Sequence, residues 1–410
     1  MLPRRTTITI GAFVLMAAIL PRGVRPTQLI SMLTLFHFPA PPAEVSKPRP
    51  QIVAPKVPDL DIPAGSLDSF YASLRRGRVT RVLHYGDSPT TADSITADIR
   101  RLLQRRFGDA GHGFLLIAKP WAWYGHDGIR LDAKGWQIAP ASQSRAADGI
   151  HGLGGVSFTG GAGAVSRVGL PGADYSRLTV YYLSQHDGGT FAITAGDMKI
   201  GEVQTAADET KPRFAQIALP TGAAAIELTV SSGRVRLFGY RFDKDQPGVQ
   251  YSSLGVNGAQ IQMVLRYYEP KQWTAALQHE DPALVVLNYG TNESVYPAYV
   301  EKQYPDELRK VIARIRTALP KASILLMGPM DHGETTPPVL EKLVEIQKQI
   351  AEETGCAFFN TFHAMGGAGT MNRWYHSEPR LVSADFMHPL PAGAARVGEL
   401  FESALMEAYQ

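Results

Sequence analysis

One serine stands where an apolar stretch ends and a helical pattern begins. The stretch Val82–Tyr85 is followed by Gly86, Asp87 and Ser88, and residues 90–107 have apolar side chains at helical spacing. A serine between the carboxyl end of a strand and the start of a helix lies at the rim where open α/β sheets bind ligands. The helix dipole favours negative charge that develops nearby, so Ser88 can act as a nucleophile if a base reaches it.

Two further loops carry hydrogen-bond donors that suit this chemistry. Gly258 lies in the loop 255–260, whose glycines allow a tight turn and expose backbone N–H groups. Asn292 lies in the loop 288–293, directly after the most apolar stretch of the chain, and its amide can donate a hydrogen bond. Each loop taken alone can also be an ordinary turn, because glycine and asparagine are common turn formers.

A carboxylate and an imidazole lie three residues apart near the end of the chain, as Asp385 and His388. At this spacing the carboxylate can accept from the imidazole Nδ1–H, which leaves Nε2 free to act as a base. The alternative is a surface turn with two solvated polar side chains. These two residues, Ser88 and the two donor loops all fall where a doubly wound sheet would place the carboxyl ends of its strands.

The elements that must position these groups alternate between strand and helix. Strands are predicted at 79–85, 284–289, 323–327 and 357–360, and helices at 67–76, 90–107, 298–318, 338–354 and 393–409. Continuous apolar strands between amphipathic helices predict an α/β fold with a doubly wound parallel sheet.

Residues 125–248 have a different pattern. Glycine is frequent there, and short alternating segments are separated by turn residues at fairly regular intervals, at 178–183, 190–194, 214–219, 225–230 and 235–242. This pattern predicts a β-sandwich inserted into the α/β body.

The first 66 residues predict export. Arg4 and Arg5 precede an apolar stretch from Ile8 to Leu20, so residues 1–38 are expected to be a signal peptide or a membrane anchor, either cleaved or retained. Prolines recur through residues 39–66, which predicts an extended linker with ordered structure beginning near Leu67. We therefore expect the protein in the cell envelope or periplasm, secreted or anchored. The alternative is a cytosolic chain with an apolar N-terminus.

Composition excludes some functions. The formal net charge is +3 over 410 residues and the basic residues are scattered, so nothing favours nucleic-acid binding. Cys356 is the one cysteine, which rules out an intrachain disulfide, and its apolar neighbours place it in the core. No ligand spacing such as His-Glu-x-x-His is present, which argues against a metal-dependent hydrolase. The oligomeric state is left open.

Together these segments resemble the sequence blocks of the SGNH hydrolases, the GDSL esterase superfamily. The matching segments are Gly86-Asp87-Ser88 for the first block, Gly258 for the second, Gly290-Thr291-Asn292-Glu293 for the Gly-x-Asn-Asp third block and Asp385 to His388 for the Asp-x-x-His fifth block. The resemblance covers about residues 80–120 and 250–405. It implies a flavodoxin-like α/β/α sandwich made of residues 67–124 and 249–410, with the insert between them.

The resemblance also implies roles for these residues. Ser88 would be the nucleophile, His388 the base and Asp385 the group that orients it, with no cofactor. The backbone N–H groups of Ser88 and Gly258 and the amide of Asn292 would form the oxyanion hole. Two departures from the family pattern are Glu293, where aspartate is usual, and Pro89, where leucine or histidine is more usual.

Within the superfamily, the chain is most similar to bacterial cell-envelope O-acetylesterases of the peptidoglycan-modifying type. Those proteins share a secretory N-terminus and a carbohydrate-binding-like β-sandwich between the first two blocks, and residues 105–114 and 254–260 also look like that group. This resemblance implies an acetylated polysaccharide substrate, with peptidoglycan as the first candidate.

Four more residues are candidates for the substrate cleft. Trp121 and Trp123 can stack on sugar rings or form a structural aromatic cluster, and Asp331 and His332 follow a predicted strand.

Three alternative functions stay open. The same triad can transfer an acetyl group to a polysaccharide hydroxyl, or the chain can be a non-catalytic glycan-binding protein of the envelope. A metal-dependent hydrolase would instead use carboxylate and imidazole ligands drawn from His84, Asp87, Asp331, His332, Asp385 and His388.

Overall fold

A computed structural model describes residues 58–142 and 146–409 of the chain. The strands are β1 Leu60–Asp61, β2 Val79–Gly86, β3 Gly111–Leu115, β4 Arg130–Pro140, β5 Val156–Gly169, β6 Arg177–Ser184, β7 Thr190–Ala195, β8 Met198–Gln204, β9 Lys211–Ala218, β10 Ala225–Ser232, β11 Arg234–Asp243, β12 Gly248–Gly255, β13 Leu284–Asn288, β14 Ser323–Met327 and β15 Ala357–Phe359. The helices are α1 Asp68–Arg75, α2 Ser88–Thr91, α3 Ser94–Phe107, α4 Met263–Tyr267, α5 Pro270–Glu280, α6 Pro297–Lys302, α7 Tyr304–Ala318, α8 Leu340–Thr354, α9 Thr361–Ala364, α10 Thr370–Tyr375 and α11 Pro391–Glu407.

The first sheet has six strands in the order β1-β15-β14-β13-β2-β12. The five strands from β15 to β12 are parallel, and β1 pairs antiparallel with β15 at one edge, so the sheet is mixed. The predicted α/β fold is therefore confirmed, with an antiparallel edge strand that the sequence pattern did not reveal.

Helices cover both faces of this sheet because successive strand residues point to opposite sides. Val82 packs in a core with apolar residues of α1, α3 and α11, whereas its neighbour Leu83 belongs to the core that includes residues of α5, α7 and α8. The two-sided burial explains why β13 and β14 are buried at every residue and are apolar except at Asn288 and Ser323.

The second sheet is antiparallel and nearly barrel-shaped, where the sequence predicted a β-sandwich. It is continuous, in the order β8-β7-β10-β5-β11-β6-β9, and its end strands approach each other where Ile217 packs on Gly201. The long strand β5 pairs with β11 through residues 158–161 and with β10 through residues 165–169. Gly163 lies between these two halves at φ +86°, which lets one strand bend between two partners. The bent strand β5 thus belongs to both halves of one continuous sheet, where a β-sandwich would have two separate sheets.

This second sheet begins earlier than residue 125. Strand β3 pairs antiparallel with β11, and its Phe114 N–H donates to the Ser252 hydroxyl of β12 at 3.1 Å. Strand β12 returns to the first sheet at Gly248. The second sheet therefore extends from β3 to β11, and the chain returns to the first sheet with β12.

The prediction that ordered structure begins near Leu67, after a linker at 39–66, is corrected by the described residues. Leu60 is buried and pairs with Phe359, so ordered structure begins before Leu67 and the last part of the predicted linker belongs to the sheet. Prolines on both sides leave only a two-residue strand, and a sheet edge accommodates such a strand because one of its sides needs no partner. The signal or anchor segment at 1–38 lies outside the described residues. Among the described residues, no helix is long and apolar enough to cross a bilayer.

A buried ion pair joins the second sheet to the α/β body. Arg241 of β11 donates to Glu280 of α5 at 2.6 Å, and the two side chains are 3% and 0% exposed. Arg241 also pairs with Asp243 at 2.9 Å, and the Tyr181 hydroxyl donates to Glu280. Removing one partner of such a pair leaves an uncompensated charge in the interior, which is strongly destabilising.

We therefore expect Arg241→Met to lower the free energy of unfolding by about 3–5 kcal/mol, measured by urea denaturation. Arg241→Met combined with Glu280→Leu should lose less, because no lone buried charge remains. The control is Lys199→Met, which removes the exposed Lys199–Glu202 pair and should change stability by less than about 1 kcal/mol. An Arg241→Met effect as small as that of the control would contradict this view of the junction.

Candidate active site

Ser88 opens the short helix α2 immediately after β2. The sequence predicts one helix from Thr90 to Phe107, but the structure divides it at Asp93, which has a left-handed backbone with φ 57°. The Asp93 carboxylate accepts two hydrogen bonds from Arg100, at 3.0 and 2.7 Å. This buried pair fixes the turn after α2 and so fixes the position of Ser88. Ser88 itself is 7% exposed.

Ser88, His388 and Asp385 form a continuous hydrogen-bond chain. The His388 Nε2 atom lies 2.9 Å from Ser88 Oγ, and Nδ1 lies 2.7 Å from Asp385 Oδ2. Because a carboxylate only accepts, Nδ1–H must donate to Asp385, and Nε2 is then the acceptor for the serine hydroxyl. The structure brings Ser88 together with His388, which lies 300 residues later in the sequence, and with the neighbouring Asp385.

Asp385 is held as a carboxylate by its own loop. Burial raises its pKa, but hydrogen bonds from Ser383, His388 and the Met387 N–H outweigh this effect and hold the pKa well below its usual value. The Asp385 Oδ1 atom accepts the backbone N–H groups of Met387 and His388 at 2.9 and 3.0 Å. An ionised Asp385 is the state that can accept from an imidazole and stabilise its protonated form.

This loop also has a backbone feature that no sequence pattern predicts. Phe386 has a left-handed backbone with φ 55°, and its carbonyl accepts the Gly333 N–H at 2.8 Å. Its ring packs on Tyr375 with a centroid distance of 4.4 Å. A phenylalanine in this region of φ is strained, so these contacts hold it there. Phenylalanine does not indicate a left-handed backbone, so this turn was not predictable from the residue at position 386.

The loops of Gly258 and Asn292 meet beside Ser88. Gly255 of β12 and Asn288 of β13 both pair with Gly86, so the loops that follow leave the sheet from adjacent strands. The Asn292 amide donates to the Ala259 carbonyl at 2.9 Å. An amide has two N–H groups, so this bond leaves one for a ligand.

Comparisons with known proteins agree with this architecture. Residues 226–396 match the model of the GDSL-like Lipase/Acylhydrolase family. A solved structure of a peptidoglycan O-acetylesterase superposes with a TM-score of 0.72 at 22% identity, covering 84% of this chain and 96% of that one. The α/β body is therefore similar to that of GDSL-like hydrolases. Both comparisons support the predicted activity on ester bonds.

Other solved structures match more weakly. A phospholipase A1 from Streptomyces albidoflavus aligns at 18% identity with a TM-score of 0.30, over 39% of this chain and 79% of that one. A family two carbohydrate esterase from Clostridium thermocellum aligns at 11% identity with a TM-score of 0.29, over 67% and 98%. These scores are too low to bear on the fold. We found no match among curated protein sequences.

Glu293, at the position where the resembling sequence block has aspartate, joins two loops. Its Oε1 atom accepts the Ile261 N–H at 2.7 Å and its Oε2 atom accepts the Gly290 N–H at 3.0 Å. Glutamate therefore fits this position, because both of its oxygens find backbone donors, one in each loop. Burial, together with the nearby Asp87, raises the pKa of Glu293 to about 8.

Pro89 is also accommodated. It occupies the first turn of α2, where helical N–H groups have no carbonyl partner within the helix. A proline there sacrifices no hydrogen bond, and its fixed φ suits the start of a helix. The backbone N–H of Ser88 is unaffected by this residue.

The four substrate-cleft candidates have different environments. Asp331 is fully buried and its two oxygens accept from Thr336 at 2.6 Å and from the Met371 N–H at 3.0 Å, so it supports the start of α10 instead of lining a cleft. His332 is also buried, with Nε2 2.7 Å from the hydroxyl of Ser294. Both residues are corrected from cleft-lining to structural positions.

The two tryptophans differ in their exposure to solvent. Trp121 is buried in the hydrophobic core, so its ring has no free face for a sugar, and its place in the cleft is corrected too. Trp123 is 54% exposed, so its ring is accessible to a ligand. Its role in substrate binding stays a prediction.

The described residues do not gather the six metal ligands considered from the sequence. The group of carboxylates and imidazoles that does come together is Asp93, His112 and His126, with His112 Nε2 3.1 Å from His126 Nδ1. Arg100 already binds both oxygens of Asp93, and its positive charge opposes a cation there. Burial lowers the pKa of His126 to about 4, so the imidazole is neutral in this network.

Asp87, next to the serine, is buried at 2% exposure, and its Oδ2 atom has no hydrogen-bond partner among the described residues. Burial raises its pKa to about 7, although the Thr291 hydroxyl and the charge of His388 act in the opposite direction and Glu293 lies close by. The folded protein therefore holds a proton that the unfolded chain releases near pH 4. The resulting stabilisation is complete below about pH 4 and is lost as the pH rises to about 7.

Asp87→Asn should remove this pH dependence. We expect the unfolding free energy of the wild type to fall by a few kcal/mol relative to the variant between about pH 4 and pH 7, measured by urea denaturation across that range. Asp208→Asn, at an exposed site, is the control and should follow the wild type. Parallel curves for the wild type and Asp87→Asn would show that Asp87 is already ionised at pH 4.

Proposed function

We propose that this protein is a serine esterase that removes O-acetyl groups from a cell-envelope polysaccharide, with peptidoglycan as the substrate. The observation that carries the reaction type is the hydrogen-bond chain from Ser88 through His388 to Asp385. The likeness to a solved peptidoglycan O-acetylesterase across 84% of this chain supports the substrate, and the sequence pattern of the first 38 residues supports export to the envelope.

In the first half of the reaction, Ser88 Oγ attacks the acetyl carbonyl. His388 Nε2 takes the serine proton as the new C–O bond forms, and Asp385 stabilises the imidazolium. The carbonyl oxygen becomes an oxyanion, which the N–H groups of Ser88 and Gly258 and the free N–H of Asn292 bind. When the intermediate collapses, the bond to the sugar oxygen breaks and that oxygen takes the proton from His388.

In the second half, water hydrolyses the acetyl-serine. His388 takes a proton from the water as it attacks, and then returns that proton to Ser88 Oγ as acetate leaves. The side chains of His388 and Asp385 are 42% and 51% exposed, so solvent reaches the base directly. This open access favours water over a polysaccharide hydroxyl as the acceptor, and hence hydrolysis over acetyl transfer.

Ser88→Ala should abolish hydrolysis of an aryl acetate, because the group that forms the acyl-enzyme is gone. The measurement is the release of the phenol under conditions where the wild type turns over many times. Ser231→Ala, on an exposed strand of the second sheet, is the matched control and should keep full activity. Turnover by Ser88→Ala at the wild-type rate would exclude the proposed mechanism.

Asn292→Ala should lower kcat for the same aryl acetate about a hundredfold with a small change in KM, because an oxyanion donor acts in the transition state and not in the ground state. Asn292→Ala also removes the bond to Ala259, so thermal unfolding should be measured in parallel. A well-folded Asn292→Ala variant with wild-type kcat would mean that this amide does not bind the oxyanion.

A further inference from the structure

Exposed apolar side chains are concentrated around the proposed active site. Among the described residues, the large hydrophobic side chains that are more than half exposed are Trp123, Met198, Val295 and Tyr296, at 54%, 51%, 55% and 57%. Met198 lies on the second sheet. Val295 and Tyr296 lie in the loop after β13, which also carries Asn292, and Trp123 lies in the segment between β3 and β4. Exposed apolar groups that cluster at one place on a soluble protein commonly mark a binding surface.

The loop that carries Tyr296 is rigid. Tyr296 lies four residues after Asn292, and its N–H donates to the Glu293 carbonyl at 2.9 Å. The Ser294 hydroxyl donates to the Thr291 carbonyl at 2.8 Å, and α6 begins at the next residue, Pro297. The Tyr296 ring is therefore exposed to solvent, while hydrogen bonds hold its backbone in a turn.

The loop that carries Trp123 is also fixed. The hydroxyl of the neighbouring Tyr124 accepts the Leu116 N–H at 2.8 Å, and the Asp127 N–H donates to Asp93 Oδ2 at 3.1 Å. Asp93 forms the turn between α2, which begins with Ser88, and α3. The Trp123 loop is thereby anchored next to the nucleophile.

The two loops are connected to opposite sides of the strand that leads to Ser88. The sheet order is β13-β2-β12, and Ser88 follows the central strand β2. Tyr296 belongs to the loop after β13. The Asp93 turn that anchors the Trp123 loop contacts β12 instead, through the bond from Thr96 to Ser253 at 2.9 Å.

We propose that Trp123 and Tyr296 are sugar-stacking platforms on the two sides of Ser88, so that the enzyme binds an acetylated polysaccharide chain that passes over the nucleophile. This inference rests on the proposed esterase function and specifies a polymer instead of a small acetyl ester. Aromatic faces bind the apolar C–H faces of sugar rings, and rings held by rigid loops lose little entropy on binding. Trp123, Val295 and Tyr296 lie outside helices, whereas insertion into a lipid surface typically uses an amphipathic helix.

The test compares Trp123→Ala and Tyr296→Ala with Met198→Ala in the full-length chain, using O-acetylated peptidoglycan fragments and an aryl acetate. We expect kcat/KM for the fragments to fall about tenfold more than for the aryl acetate, mainly through KM, in both loop variants. Trp123→Phe and Tyr296→Phe should restore most of the loss because a ring remains, and Met198→Ala should behave as the wild type. Equal losses on both substrates, or no loss on the fragments, would overturn the proposal.

A binding measurement separates this proposal from the esterase mechanism. Ser88→Ala should bind the same fragments in calorimetry, and adding Trp123→Ala or Tyr296→Ala should weaken that binding about tenfold. Failure of the wild type to release acetate from any acetylated glycan would contradict the proposed function, whereas unaltered binding in these double variants would contradict only the stacking platforms. Loss of binding to anionic phospholipid vesicles, with glycan binding intact, would assign the patch to a membrane and overturn the proposal.

Discussion

The site depends on three neighbouring parallel strands ending at the same level. β12, β2 and β13 pair in a register that sets Gly255, Gly86 and Asn288 side by side. Helix α2 packs so closely on these strand ends that two of the residues must be glycine. A Cβ at Gly255 would lie 2.3 Å from the Thr91 N atom, and a Cβ at Gly86 would lie 2.1 Å from Thr90 Oγ1. A larger residue at either position would push α2, and with it Ser88, away from the donor loops.

Buried polar side chains then hold the surrounding segments in place around that register. Asp93 and Arg100 fix the turn behind the nucleophile, Glu293 joins two donor loops, and Arg241 and Glu280 join the second sheet to the body. Each group is costly to bury alone, and each is partnered by an opposite charge or by backbone donors. The interactions near Ser88 position backbone N–H groups and leave the His388 imidazole open to solvent.

Much of this arrangement follows from sequence patterns that local physics controls. The apolar strand predicted at 284–289 forms as β13, and the helix predicted at 298–318 forms as two helices, α6 and α7, separated at Gln303. The loops that carry Ser88, Asn292 and His388 were predictable as well. Contacts between residues that lie far apart in the sequence were not predictable. The single curled sheet depends on a bend within β5, the burial of Asp331 depends on Thr336 and Met371, and the β1 edge depends on a partner about 300 residues away.

The identity of the nucleophile is the central claim, and covalent labelling tests it most directly. The full-length protein would be treated with a fluorophosphonate, which forms a stable adduct with an activated serine, and the modified peptide identified by mass spectrometry. The account predicts one adduct, on Ser88, that is lost in His388→Ala because the hydroxyl is no longer activated. Labelling of another residue, or equal labelling of Ser88 without His388, would contradict it.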